Sequence, residues 1–245
     1  MQRGYQADFY TLSEGVRDPT IRQRKAAKIH WALTTFAADV LPGAICLDVG
    51  CSAGLMTATL APLFAQTLGL DYDTVALGKI DPVDRPLVGF LRGDAMCLPL
   101  PDRCVDVVLC AQVYEHVPDD TRLFAEIERV LRPGGVAFFS GPNWLFPIEP
   151  HYFIPFLHWL PAQYADALLR MTGQGDHYYE KSRPVWQLRH LFRNFIIEDI
   201  SLALLRTPFA TTSPTVRWLG QHTPQFVWQL LHPLLPNYNW LLRKP

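Results

Sequence analysis

The sequence predicts an α/β fold built on a doubly wound, mostly parallel seven-stranded sheet with an antiparallel last strand. Short apolar runs that end at glycine or acidic residues alternate with helical stripes over residues 19–140, as in parallel sheets. After residue 140 this rhythm gives way to an aromatic, proline-rich stretch, which predicts a lid elaboration. A length of 245 residues suits one large domain with a full core.

The first part of the chain supplies three predicted helices and five predicted strands. Pro19 suits a first helical turn, and Ile29, Leu33 and Phe36 form an apolar stripe behind it. Ala44–Val49 is a short apolar run of the kind that forms a buried parallel strand. In chain order we predict a helix over 19–40, a strand over 44–49, a helix over 55–65, strands over 66–70, 87–91 and 105–111, a helix over 119–131 that stops at Pro133-Gly-Gly135, and a strand over 136–140.

The second part is predicted to cover and close the sheet. We predict an irregular, lid-like stretch over 144–163, a helix over 184–195, strands over 195–205 and 238–243, and a helical turn at Val227–Leu231. We therefore expect a single domain over 1–245, made of a helical cover (1–43), a ligand-binding core (44–143), a lid (144–183), and a last helix with a terminal hairpin (184–245) that holds an insertion at 207–236.

Composition excludes several classes of protein. The net charge of -1 argues against a strongly cationic binder of nucleic acid, and no apolar run reaches the length of a membrane span. The first ten residues lack the apolar stretch of a secretory signal, so we expect a cytoplasmic protein. The five cysteines show no CxxC spacing, which favours reduced thiols over disulfides or a zinc site.

The charge is unevenly distributed. Residues 1–140 hold 13 Lys/Arg and 17 Asp/Glu, whereas residues 141–245 hold 9 and 6, so an acidic part precedes a mildly basic one. Within the acidic part, Arg22, Arg24, Lys25 and Lys28 give the first helix a basic face, which we expect to be solvated.

The turn after the first strand reads Asp48-Val-Gly-Cys-Ser-Ala-Gly54. Gly50 and Gly54 allow close approach of a ligand to the backbone. The dinucleotide fingerprint GxGxxG is broken, since Ser52 stands at its second glycine. A carboxylate before the turn would repel a pyrophosphate and attract an ammonium group, so the ligand is expected to carry positive charge. The alternative is that Asp48 simply caps the turn.

Two further acids follow the next strands. Asp71 ends the second strand, where an acid suits a ribose diol. Asp94 follows the third strand, where it suits an exocyclic amine, although it is also interpretable as an ordinary loop acid. Ribose, adenine and a cationic amino acid together describe S-adenosylmethionine.

The ordered motifs LDVGCSAG, LGLDYD, RGDAMCLPLPDRCVDVV, YEHVPD and RVLRPGGV resemble the class I S-adenosylmethionine-dependent methyltransferases, especially the ubiquinone/menaquinone-methyltransferase-like group. The resemblance covers residues 40–145 and implies a Rossmann-like sheet that closes with an antiparallel hairpin. It implies that the cofactor-binding residues are Asp48, Gly50, Ser52 and Gly54 for the methionine part, Asp71 for the ribose hydroxyls, Tyr72, Asp94 and Ala95 for the adenine, and Ala111 and Gln112 along the methionine moiety.

Two histidines are candidates for a general base, which a hydroxyl acceptor requires. His151 lies in the lid, and Glu149 two residues earlier is placed to orient it. His116 follows the fourth strand, where local packing is the simpler explanation for it. We predict no metal, because the sequence shows no HxxxH or paired-acid spacing. Ser140-Gly-Pro-Asn143 is unlike the Asn-Pro-Pro-Tyr motif of enzymes that methylate planar amino groups, which favours an oxygen or carbon acceptor.

The acceptor is expected to meet the aromatic second part. Such surfaces suit rings or acyl and prenyl chains, while core filling is the simpler explanation. The residues concerned are Trp144, Phe146, Tyr152, Phe153, Phe156, Trp159, Tyr178 and Tyr179. A secondary hypothesis is a peripheral membrane contact through Trp218, Phe226, Trp228 and Leu230–Leu231.

We therefore predict methyl transfer from S-adenosylmethionine to an oxygen or carbon of a small-molecule or lipid-like acceptor, without nucleic acid as a partner. Two alternatives stay open: a nucleotide-dependent oxidoreductase on a similar sheet, and a non-catalytic relative that binds the cofactor or a partner.

Overall fold

A computed structural model describes residues 7, 9–12, 14–81, 88–209, 218–220 and 222–245. The start of the predicted third strand at Leu87 and parts of the predicted insertion, 210–217 and residue 221, lie outside the described residues.

The sheet has seven strands in the order β3-β2-β1-β4-β5-β7-β6, which confirms the predicted fold class. Strands β1 to β5 pair in parallel, and β7 runs antiparallel between β5 and β6. The order reverses between β1 and β4, which opens a crevice at the carboxyl ends of these two strands. The strands are β1 (Ile45–Val49), β2 (Gln66–Asp71), β3 (Gly89–Arg92), β4 (Val105–Ala111), β5 (Leu131–Pro142), β6 (Ile196–Asp199) and β7 (Asn237–Arg243).

Helices cover both faces of the sheet. They are α1 (Phe9–Leu12), α2 (Glu14–Arg17), α3 (Pro19–Phe36), α4 (Leu55–Leu60), α5 (Thr74–Leu77), α6 (Asp120–Val130), α7 (Ala162–Thr172), α8 (Val185–Leu191), α9 (Ser201–Leu205) and α10 (Gln225–Leu231), with short 3-10 turns at Ala61–Leu63, Leu157–Trp159 and His232–Leu234.

Helix α6 illustrates how local sequence sets these elements. Its N-cap residue Asp119 accepts hydrogen bonds from the backbone of Thr121 and Arg122, which satisfies two donors of the first turn. Leu123, Phe124, Ile127 and Val130 recur at helical spacing and are buried against the sheet. Burial of each such side chain contributes about 1.5–3 kcal/mol, which holds the strand β4 to β5 crossover in place.

Alternating residues of the central strands fill two cores on opposite faces of the sheet. Val108 and Phe139 belong to the core under α6 and α8. Leu109 and Phe138 belong to the core under α3, together with Ile29 and Leu33 of that helix.

Several predicted boundaries were wrong. Helix α3 ends at Phe36 rather than at residue 40, because Ala37 leaves helical geometry. Helix α6 ends at Val130, before Pro133-Gly-Gly135, since β5 already begins at Leu131. The strand predicted over 195–205 is β6 followed by α9, because an apolar Leu-rich run suits a short helix as well as a strand.

The lid contains a helix that the sequence did not predict. Helix α7 lies within the lid and buries Ala165 and Leu169. The proline before it, Pro161, occupies its N-cap position and therefore does not interrupt it.

The basic face of α3 is not solvated as predicted. Arg22 is buried, and Lys25 and Lys28 are half-buried. The Nζ atom of Lys28 donates a hydrogen bond of 2.8 Å to Asn239 Oδ1 in β7. This face of α3 therefore packs toward the sheet edge that carries the crevice. Among the residues described, no helix combines the length and the apolar character that crossing a bilayer requires.

Candidate active site

A cavity of about 900 Å³ opens at the carboxyl ends of the central strands. Its floor is formed by the turns that follow β1, β2, β3 and β4, and its cover by the N-terminal helices and the lid. This volume lies near the upper end of small-molecule sites, so the cavity has room for two ligands side by side. Most predicted cofactor residues meet here: the wall includes Gly50, Ser52, Asp71, Tyr72, Asp94, Ala95, Ala111 and Gln112.

The turn after β1 approaches the cavity with its backbone. Gly50 and Gly54 both have φ 76°, a conformation that favours glycine. A Cβ atom on Gly50 would meet Val113 Cγ2 at 2.6 Å. The N–H of Gly50 donates to the carbonyl of Leu70 at 2.8 Å, which ties the turn to the end of β2. The glycines of this turn are therefore required by its geometry.

Asp71 joins the first turn to the second. Its Oδ2 accepts a 2.7 Å hydrogen bond from the N–H of Ser52, and its Oδ1 accepts a 2.9 Å bond from the N–H of Asp73. Burial raises the pKa of Asp71, and the two backbone hydrogen bonds oppose that rise. The carboxylate is thus fixed at the cavity wall, where its remaining lone pairs suit hydroxyl donors.

Asp48 lies below the cavity and does not line it. It is buried in β1, where Thr57 of α4 donates a 2.6 Å hydrogen bond to its Oδ2. Burial raises the pKa of Asp48 to about 6. Gly54 likewise shapes the turn without reaching the cavity wall. These two predicted residues therefore support the site from behind.

The far side of the cavity is formed by the turns after β2 and β3. Tyr72 and Asp94 both line it, and the Arg92 guanidinium lies 5.8 Å from the centre of the Tyr72 ring. The N–H of Met96 donates to Asp94 Oδ1 at 3.0 Å, which fixes the loop that also carries Ala95. An aromatic ring and a carboxylate are thus brought together here, next to the loop that carries Ala95.

The end of β4 forms the opposite wall. Gln112 has φ 60°, and its N–H donates to the Ser140 carbonyl at 2.7 Å. A left-handed glutamine is uncommon, and such strain is typical of ligand-binding turns. Its Nε2 reaches Asn237 Oδ1 at 3.3 Å, so the side chain is linked to β7.

Arg22 is a wall residue that the sequence argument missed. It is 7% exposed, lines the cavity, and its charge interacts with those of Asp48 and Asp71. The available signal was the spacing of Arg22, Lys25 and Lys28 by three residues, which places the three side chains next to one another on one face of the helix.

The lid brings Glu149 and His151 together, as their spacing suggested. Glu149 Oε1 lies 2.7 Å from His151 Nδ1, and Glu149 Oε2 accepts hydrogen bonds from the backbones of His151 and Tyr152, both at 2.7 Å. Glu149 is buried, whereas His151 lines the cavity. Burial lowers the pKa of His151, but the hydrogen bond and charge of Glu149 outweigh it, so the net pKa is raised.

His116 meets His151 at the same end of the cavity. Their ring centres are 5.0 Å apart, and the ring centre of Phe9 lies 4.4 Å from that of His116. Burial lowers the pKa of His116, so its imidazole is neutral at pH 7. Glu115, which the sequence argument did not single out, is fully buried beside it, and its Oε1 lies 3.9 Å from His116 Nε2.

The predicted aromatic acceptor surface is only partly present. Tyr152, Phe153 and Tyr179 line the cavity. The other five aromatics do not reach it; Trp159, for example, packs against Trp144 and Phe156 with ring centres 5.6 and 4.9 Å away. Sequence could not show this, because the lid folds back on itself at Phe156, which has φ 63°. Polar residues of the loop 174–180 line the cavity wall instead of these five aromatics.

Part of the chain matches a known protein family. A model of the methyltransferase domain matches residues 47–139. Over 97 residues the chain is 40% identical to a protein of Mycolicibacterium smegmatis named as a probable S-adenosylmethionine-dependent methyltransferase. The aligned residues make up 40% of this chain and 37% of that relative. An uncharacterized methyltransferase of Mycobacteroides abscessus is 37% identical over 115 residues, with 45% and 44% of the two chains covered.

The chain is therefore similar to methyltransferases over residues 47–139. An S-adenosylmethionine-dependent methyltransferase from Mesorhizobium loti shares the fold with a TM-score of 0.55 at 20% identity, over 82% of this chain and 91% of that one. The aligned part spans less than half the length of the two mycobacterial relatives. The family match runs from within β1 to within β5.

Proposed function

We propose that this protein transfers the methyl group of S-adenosylmethionine to an oxygen or carbon of a small-molecule acceptor. The observation that carries the proposal is the cavity itself, in which the fixed carboxylate of Asp71, the glycine turn at Gly50 and the histidine pair of the lid end face a common space.

The residues at the central strand ends fit the cofactor. Asp71 would hold the ribose hydroxyls, and Tyr72 and Asp94 would contact the adenine. Gly50, Ser52 and Gln112 would lie along the methionine part, where the buried charge of Asp48 favours an ammonium group and Arg22 supplies the cation that a carboxylate requires. When bound, S-adenosylmethionine supplies an electrophilic methyl group, whose bond to sulfur breaks as its bond to the acceptor forms.

The chain's own contribution to the acceptor is proton transfer and alignment. Because Glu149 occupies Nδ1 of His151, the nitrogen left for a ligand is Nε2. We infer that Nε2 takes the proton of an acceptor hydroxyl and that the buried Glu149 carboxylate stabilises the imidazolium that results. His116, neutral and at 5.0 Å from the His151 ring, packs beside it and shapes the same wall.

The wall around these histidines indicates a polar acceptor of modest size rather than a long acyl or prenyl chain. Lys25, Asp176, His177 and Glu180 contribute charged or polar groups to it, whereas three of the eight predicted aromatics do so. An acceptor with one apolar ring face and several polar substituents would contact both the polar and the aromatic residues of this wall.

The proposal is tested by incubating the full chain with S-adenosylmethionine that carries an isotopic methyl label and with panels of phenols, quinols, sugars and hydroxy acids. We expect S-adenosylhomocysteine to form only with acceptors that gain the label, and to form far more slowly in His151→Ala. If cofactor binds but no member of any panel gains the label, the alternative of a non-catalytic cofactor-binding relative is favoured.

A further inference from the structure

Three potential ligand side chains converge at the lid end of the cavity. Glu115, His116 and His151 each offer one nitrogen or oxygen atom, and these atoms all lie within 4.8 Å of one another. His116 and His151 line the cavity, and Glu115 is fully buried behind them. His151 lies 35 residues after His116 in the chain, so no short sequence motif indicates that the three side chains form a cluster.

Glu115 is the unusual member. Its side chain is 0% exposed, and neither carboxylate oxygen has a hydrogen-bond partner among the residues that the structure describes. A buried carboxylate is costly unless it is paired or coordinates a metal ion. The titratable groups that face it are His116, with its Nε2 at 3.9 Å, and, at longer range, His151, Lys25 and Glu180. None of these, among the described residues, makes a hydrogen bond to Glu115.

His151 has the arrangement that metal-ligating histidines show. Such histidines usually bind the ion through one ring nitrogen while the other donates to a carboxylate. The Nδ1 of His151 lies 2.7 Å from Glu149 Oε1, and Glu149 is itself fixed by two backbone N–H groups. This contact selects the tautomer that leaves the Nε2 lone pair available and holds the ring still.

We propose that Glu115, His116 and His151 bind one divalent transition-metal ion at the lid end of the cavity. Two imidazoles and one carboxylate suit zinc, cobalt, nickel or ferrous iron rather than calcium or magnesium. In a tetrahedral site, ligand atoms about 2.1 Å from the ion lie about 3.4 Å apart, so atoms now up to 4.8 Å apart have to approach one another by up to about 1.4 Å. Three protein ligands leave a coordination position open toward the cavity.

The site stands independently of methyl transfer, but it bears on the proposed role of His151. The ion and the acceptor's proton compete for the same Nε2 atom. We therefore expect the ion to inhibit a reaction that uses His151 as a base, which makes the cluster a point where metal availability controls turnover.

The test uses the full chain, freed of metal with a chelator, and the metal ions alone as probes. Calorimetry with Zn²⁺ and visible spectroscopy with Co²⁺ measure stoichiometry and affinity without cofactor or acceptor. We expect one ion per chain in the wild type, loss of that ion in both Glu115→Gln and His116→Gln, and affinity weaker by about 10–100-fold in Glu149→Gln, which alters only the group behind His151.

The matched control is His232→Gln, since His232 also pairs with a carboxylate, Asp199 at 3.1 Å, but lies away from the cavity. This variant should bind the ion as the wild type does, and circular dichroism should show all variants folded. A wild type that binds no ion, or folded Glu115→Gln and His116→Gln variants that bind it with unchanged affinity, would overturn the proposal. An ion that binds at the cluster and accelerates methyl transfer would uphold the site and contradict the base role of His151.

Discussion

Glu149 Oε1 lies 2.7 Å from Nδ1 of His151, and the same carboxylate also accepts from the backbone N–H of His151. The lid segment thus closes a small ring that fixes both the position and the tautomer of one imidazole. A histidine fixed in this way at a cavity wall has little rotational freedom to lose when a ligand arrives, which is a condition for efficient proton transfer.

Replacement of His151 by alanine should slow methyl transfer by about 10²–10⁴-fold, the usual contribution of a general base. S-adenosylhomocysteine should bind His151→Ala as it binds the wild type, because Asp71 and the first turn lie on the other side of the cavity. Single-turnover rates and calorimetry on the same preparation separate the two effects. Unchanged turnover would exclude His151 as the base.

Asp71→Ala should show the opposite pattern. The change removes the acceptor of the Ser52 N–H and the carboxylate that faces the ribose, so cofactor affinity should fall by about 10–100-fold, as expected for a hydrogen bond to a charged group. Asp106→Asn is the matched control, since Asp106 pairs with Arg132 at 2.8 Å at the opposite edge of the sheet. Equal loss in both variants would assign the effect to stability rather than to the site.

The parts that sequence predicted well are those set by local chemistry. Gly50, Asp71 and Asp94 lie at or just after the ends of strands whose apolar runs are short and clearly bounded, so both the strands and the position of these residues at the cavity were predictable. Arg22 and Glu115 were not, because a basic helix face and an acid after a strand become buried only through contacts with distant elements. The sequence placed too many lid aromatics at the acceptor surface for the same reason, because several of them pack against other residues of the lid.

Asp48→Asn should change the pH dependence of stability. Burial raises the pKa of Asp48 to about 6 from an ordinary 3.8, so between these values the folded state binds more protons than the unfolded state. Wild-type stability is therefore expected to lose about 3 kcal/mol as pH rises through this window and to stay level above it. The asparagine variant lacks this loss, so its unfolding free energy relative to wild type should increase from pH 3.5 to pH 7.

Urea unfolding of the cofactor-free protein at several pH values measures that difference. The same variant should bind S-adenosylhomocysteine more weakly at pH 7, because the buried negative charge that favours an ammonium group is gone. A stability difference that does not vary with pH would show that Asp48 has the same pKa in the folded and unfolded protein.

The peripheral membrane contact stays a prediction, and the exposed side of α10 defines its test. Phe226 is 63% and Leu230 75% exposed, and Trp218 nearby is 58% exposed. If this surface contacts lipid, the wild type should co-sediment with vesicles and the double variant Phe226→Ser, Leu230→Ser should not. Vesicles with and without anionic lipid show whether charge contributes, and the absence of wild-type binding to both removes the hypothesis.

We propose that the cavity at the ends of β1 to β4 binds S-adenosylmethionine. Isothermal titration calorimetry of the wild-type chain with S-adenosylhomocysteine and, separately, with NAD tests it most directly. We predict that S-adenosylhomocysteine binds with one site per chain and that NAD produces no binding heat, since Asp71 and Asp48 surround the turn that would have to accept a pyrophosphate. Binding of NAD without binding of S-adenosylhomocysteine would contradict the account and favour a nucleotide-dependent oxidoreductase.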